Sequence, residues 1–182
     1  MEKNDCFLMK GSDINEPMTL YFVSSVSEDK FHALSICIKD SMVQALSHGW
    51  DYEEVIPEKA VLLPSGTYQK VKHEMATFLK EIKFYISNNL IKGDFKIEIG
   101  GHYYDGYIYT ITEIGESKVK YDLFRLEEEN ISPFWSGESH IDNIHDYCWP
   151  ISNETYKEVL EKYKSFVSAL REQLYKREDR LG

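Results

Sequence analysis

The chain is 182 residues long, with 42% hydrophobic, 14% aromatic and 29% charged residues, the size and balance of one folded domain and not of a disordered or fibrous chain. Its formal net charge of −10 disfavours direct binding of nucleic acid or anionic lipid, both of which call for a positive face. No apolar run approaches membrane-spanning length, the start Met1-Glu2-Lys3-Asn4-Asp5 is too polar for an export leader, and Cys6, Cys37 and Cys148 fit neither a disulfide framework nor a CxxC hook; a reducing, cytoplasmic setting is expected.

In chain order, residues 1–17 are expected to be a flexible lead. Runs 19–25 and 31–38 are rich in β-formers and flank the polar Ser27-Glu28-Asp29-Lys30, which predicts a hairpin; Leu34, Ile36 and Ile38 alternate with polar neighbours and define its core face. Ser41 to Gln44 has capping-box spacing and Gly49 can end a helix, so 42–48 reads as a short helix. Residues 59–63 form an apolar strand closed by Pro64 and Gly66. From about Thr67 to Asn88, Val71, Met75, Phe78, Leu79, Ile82, Tyr85 and Ile86 recur at helical spacing, predicting a central amphipathic helix.

Strands are then expected at 95–99, 107–112 and 119–126, turning at Asp105-Gly106 and Gly115-Glu116-Ser117, with a bulge at Gly100-Gly101. Residues 127–151 lose periodicity, contain Pro133, Gly137 and Pro150, and read as a long acidic, aromatic loop. Asn153 can cap a last helix whose stripe at 156, 160, 163, 167, 170 and 174 reads as core, or as the seam of a homodimer. These elements predict a single α+β domain over 1–182, order ββαβαβββα, with a mostly antiparallel sheet, the central helix and a long C-terminal helix packed on it.

The negative charge is regional. Residues 40–58 hold five acids and 126–156 hold seven, neither with a lysine or arginine, so these 50 residues carry −12 and the other 132 carry +2. All three tryptophans fall in segments 47–58 and 127–149. Aromatic anchors dominate interface energetics, and carboxylates beside rings can occupy a basic channel in place of phosphates and bases. The favoured function is therefore an interaction protein that occupies a basic surface of a partner such as a nuclease or toxin, the logic used by immunity and anti-CRISPR inhibitors as a class. The residues expected to meet the partner are Trp50, Asp51, Glu53, Glu54, Glu127, Glu128, Glu129, Trp135, Glu138, Asp142, Asp146 and Trp149.

The alternative is a metal-dependent hydrolase using His140, Asp142 and His145, since imidazole and carboxylate are ordinary zinc ligands; Asp146 or His48 would support them. No regular element aligns both histidines with Asp142, and the spacing matches no HExxH pattern. A third reading is a small-molecule module with a pocket between the sheet and the long loop. No Gly-x-Ser-x-Gly elbow, phosphate loop or cofactor fingerprint occurs, so binding is favoured over catalysis and no cofactor is expected. Tyr103, Tyr104, Tyr107 and Tyr109 crowd one turn, where they can anchor a partner or simply pair across strands.

Overall fold

The computed structural model describes residues 2–10, 14–28, 30–39, 42–52 and 60–176, with side chains for all of these except residues 47–52 and 134. Within that range the chain is mixed α+β, with a large antiparallel sheet and three helices, the last long and C-terminal. In order it forms β1 (Cys6–Lys10), β2 (Met18–Val26), β3 (Phe31–Lys39), β4 (Met42–Tyr52), β5 (Ala60–Leu63), α1 (Thr67–Ser87), β6 (His102–Tyr104), β7 (Ile108–Ile114), β8 (Lys118–Glu127), β9 (Asn130–His140), α2 (Ile141–Tyr147), β10 (Trp149–Ile151) and α3 (Asn153–Tyr175). Among the described residues no helix is long and apolar enough to cross a membrane.

The backbone gathers into two compact units: unit 1 is Met1–Thr77, Glu128–Asn130 and Lys164–Gly182, and unit 2 is Phe78–Glu127 and Ile131–Tyr163. In unit 1 the strands lie in the order β4-β3-β2-β1-β5, each neighbouring pair antiparallel. The β2–β3 hairpin forms as expected, and Ile36 and Ile38 are fully buried. Phe22 stacks on Tyr68 at the start of α1 (5.4 Å between centroids), while Phe7 stacks on Tyr21 (4.9 Å). Val71 and Met75 of α1 and Val167, Leu170 and Leu174 of α3 are buried at three- and four-residue spacing, as amphipathic helices require.

Two expectations for this unit are corrected. The flexible lead contains strand β1, whose Cys6 and Leu8 are buried in register with Phe22 and Leu20. Residues 42–48 are not a helix; they open β4, which pairs with β3 from Lys39↔Met42 to Phe31↔Tyr52. Capping-box spacing is a local preference, and a long ladder that also buries Val43 and Ala45 overrides it.

In unit 2 the order is β10-β6-β7-β8-β9. The Gly115 turn between β7 and β8 forms as expected, with the Gly115 amide donating to the Lys118 carbonyl at 2.8 Å. The other predicted turn is one residue longer, Asp105 to Tyr107, with Gly106 at φ +120° and the Asp105 carboxylate accepting from the Tyr107 amide at 3.2 Å. Its partner strand is β6, not 95–99. That earlier segment alternates as a strand does, but it lies irregularly and packs Phe95 and Ile97 against Tyr103, Ile111, Val119, Ile144 and Cys148. Gly100, at φ +80°, and Gly101 form the turn into β6 and not a bulge; a Cβ on Gly101 would lie 2.6 Å from the Tyr103 hydroxyl.

The predicted 127–151 loop is the largest correction, because it folds as β9, α2 and β10. Gly137 and Pro133 read as loop punctuation but sit inside β9. A Cβ on Gly137 would lie 2.7 Å from the Tyr121 ring, so the glycine makes room for a neighbouring aromatic. α3 starts as expected, capped by Ser152 and not Asn153: the Ser152 hydroxyl accepts from the Thr155 amide at 3.1 Å.

Candidate partner-binding surface

Strand register places one end of unit 2 at the β6–β7 turn. Trp149 of β10, Tyr104 of β6, Ile108 of β7 and Phe124 of β8 lie in one cross-strand row. Three strand spacings of about 4.8 Å make that row roughly 15 Å wide. Just beyond it come Asp105 and Tyr107 of the turn and Glu127 at the end of β8, joined because the Tyr107 hydroxyl donates to the Glu127 carboxylate at 2.7 Å. That hydrogen bond, first among the causes, holds the Tyr107 hydroxyl above the usual tyrosine range.

α2 brings further groups toward the same end. Its single buried residue, Ile144, anchors it to the sheet, and Phe95 stacks beneath His145 at 5.3 Å. Asp142, His145, Asp146 and Tyr147 are exposed. Burial, and then the Asp105 charge, pushes the Cys148 thiol up to about 12, so Asp105 acts at the junction of α2 and β10. Burial pushes the Tyr109 hydroxyl up as well, and it donates to Asp105 at 3.2 Å. The result is Asp105 and Glu127 at one end of the unit, with the exposed ring of Trp149 (49%) on the strand beside Asp105, and with Asp146 and the exposed ring of Tyr147 (70%) just before it in the chain at the end of α2. Arg125 is the cation acting on Tyr107, and its guanidinium already lies over the Trp135 ring, 4.3 Å from the centroid.

Other expected contact residues lie elsewhere or are engaged. Glu138 pairs with Lys118 at 2.6 Å, the cause that lowers its carboxyl pKa. Lys118 begins β8 and Glu127 ends it, so at about 3.3 Å per residue Glu138 sits roughly 30 Å from Glu127. Asp142, near the start of α2, follows Ile141, whose amide donates to the Ser117 carbonyl of the far turn at 3.1 Å. Within unit 1, Glu128 is exposed, while Glu129 lies 3.9 Å from Lys72 and its carbonyl accepts from the Ala45 amide at 2.9 Å. Trp135 is partly exposed, its indole N–H donating to Ser132 at 2.8 Å. Trp50 and Asp51 belong to the backbone of β4 with side chains outside the described residues, as is that of His48; Glu53 and Glu54 lie outside them entirely.

The metal set does not assemble. Among the described residues no group of three or more His, Cys, Asp or Glu side chains is placed to hold a metal ion. His145 instead spends one ring face on Phe95 and has Asp146 at 3.4 Å. The tyrosine cluster is likewise largely structural: Tyr103 and Tyr104 are buried, and the Tyr103 hydroxyl donates to the Lys96 carbonyl while accepting from the Glu98 amide.

A polar row two residues along these strands from Tyr104, Ile108 and Phe124, on the same face of the sheet, was not foreseen. His102, Thr110 and Asp122 pair across β6, β7 and β8, and Ser136 of β9 donates to Asp122 at 3.1 Å. Tyr156 of α3 stacks on His102 at 3.9 Å, and His102 Nδ1 meets the Thr110 hydroxyl at 2.8 Å. Each residue alone is unremarkable in sequence; only the strand register lines them up. Burial lowers the His102 pKa below 6.5, against a smaller opposing contribution from its bond to Asn153. A base whose folded pKa is depressed contributes stability that is complete above pH 6.5 and is lost as pH falls through 6.5 toward the lower folded value, because the unfolded chain takes up the proton first. Thermal denaturation between pH 7.5 and 5 is expected to show a falling melting temperature, with a shallower fall in His102→Gln. Equal slopes for both proteins would refute this role.

Comparison with known protein families, with curated protein sequences and with solved structures finds no match.

Proposed function

We propose that the protein binds a basic surface of a partner protein through the end of unit 2 that carries Asp105, Glu127, Asp146, Tyr147 and Trp149. The observation that carries this reading is the exposure of Tyr147 and Trp149 beside those carboxylates, since large rings left in water next to charge are the usual anchors of an interface. Opposite charge steers the encounter and the rings supply the desolvated contact. A protein so equipped can deny a nuclease or toxin its nucleic-acid-binding surface, in the manner of immunity or anti-CRISPR inhibitors. Glu128, Glu129, Glu138 and Asp142 then act as a long-range field and not as contacts.

The test is affinity capture from native lysate with the wild-type chain and with Asp105→Lys/Asp146→Lys, each at about 0.05 M and about 0.5 M salt, where screening shortens the reach of charge. A specific basic protein should be held by the wild type at low salt, released at high salt, and not held by the double variant. Its association rate, measured with purified partner, should drop about tenfold on charge reversal. Capture indifferent to the variant would sink the proposal.

A further inference from the structure

Unit 1 contains an open groove of about 500 Å³ whose chemistry is the reverse of the acidic surface. α3 lines it with Lys164, Ser168 and Arg171, spaced i, i+4 and i+7, so three hydrogen-bond donors share one helical face. Asn15 adds a side-chain amide, while Val167 and Ile14 supply apolar wall. Arg171 is only 5% exposed, and its Nη2 donates to the Glu16 carbonyl at 2.7 Å, which fixes the orientation of the guanidinium. Glu172, the carboxylate among the lining residues, has Lys176 Nζ at 3.1 Å, which offsets its charge.

A held guanidinium is a planar fork matched to two anionic oxygens, and near-complete burial strengthens its attraction for them. Lys164, an exposed residue of the lining, carries a second positive charge. We propose that this groove binds a small organic anion, its carboxylate or phosphate oxygens taken by Arg171 and Lys164 and its apolar portion by Val167 and Ile14. A groove of this volume accepts a metabolite-sized ligand. The site is separate in residues and in charge from the partner-binding surface, so either can fail without the other.

The experiment is NMR titration of the full chain with phenylacetate, phenyl phosphate and inorganic phosphate, each against sodium chloride at equal ionic strength. Saturable shifts at the amides of Asn15, Val167 and Ser168 are expected with at least one phenyl compound, and comparing the two identifies the head group. Lys164→Glu changes an exposed side chain and should leave the fold intact while weakening binding about tenfold or more, the usual loss for a charged hydrogen bond. Arg171→Lys, which keeps the charge but loses the fork, should weaken it as well. Absence of saturable shifts, equal binding by Lys164→Glu, or binding of inorganic phosphate as tight as that of the phenyl compounds would overturn the proposal.

Discussion

Replacing Tyr163 with alanine is expected to remove about 4 kcal/mol of stability, the loss typical of deleting a large buried ring. Tyr163 is 1% exposed on the part of α3 that belongs to unit 2. Its ring meets the edge of Phe124 at 5.3 Å and lies 6.3 Å from Phe78, and its hydroxyl donates to the Ile131 carbonyl at 3.0 Å. One side chain thus ties together α3, β8, β9 and the second half of α1 within that unit. A whole domain retains only about 5–15 kcal/mol, so the alanine variant is expected to be partly unfolded or poorly soluble at ordinary temperature. Tyr163→Phe separates the two contributions: it keeps the ring contacts, strands the Ile131 carbonyl, and should cost about 1–2 kcal/mol. Urea denaturation measures both. A loss below about 1 kcal/mol for the alanine variant would contradict the packing.

The two long helices were legible because their signal is local and redundant. In α1 the buried residues Val71, Met75, Leu79, Ile82 and Ile86 restate the same period over about four turns, and no glycine or proline interrupts them. The β2–β3 and β7–β8 hairpins were legible for a similar reason, since the turn residues lie between the strands they join. β4 was misread where a short capping pattern competed with a ladder that only β3 could reveal. β9 was hidden by Gly137, whose missing side chain answers to the Tyr121 ring on another part of the chain. Such tertiary reasons leave no trace at the position itself.

The same distinction governs the site. That acid and tryptophan share a segment could be read directly, but whether they share a surface depends on register. Glu138 and Glu127 are eleven positions apart in one acidic run, yet hairpin geometry sends them to opposite ends of β8. Asp105 and Tyr107 come from a different stretch and join Glu127 only because the β6–β7 turn abuts the end of β8. The polar row of His102, Thr110 and Asp122 had no sequence signature for this reason, whereas the groove donors at 164, 168 and 171 follow a helical spacing that can be counted.

Trp149→Ala is expected to weaken the proposed partner complex by about 2 kcal/mol or more, roughly 30-fold in affinity, the scale of an aromatic hot spot. Rigidity makes this ring a better anchor than its exposure alone implies. β10 is held by β6 on one side, with Trp149 in register with Tyr104, and on the other by the Ile91 amide, which donates to the Pro150 carbonyl at 2.8 Å. A ring on a backbone pinned from both sides loses little further freedom on binding, so more of its contact energy appears as affinity. Tyr147→Ala should have a comparable effect through the neighbouring contact. Both side chains already face water, so neither variant should melt far from the wild type. Phe84→Ala is the control: its ring, 71% exposed on α1, is equally available to a non-specific hydrophobic contact. If binding were mere apolar stickiness, Phe84→Ala would weaken it as much as Trp149→Ala; if the acidic end of unit 2 is the interface, titration calorimetry should show losses at Trp149 and Tyr147 and none at Phe84.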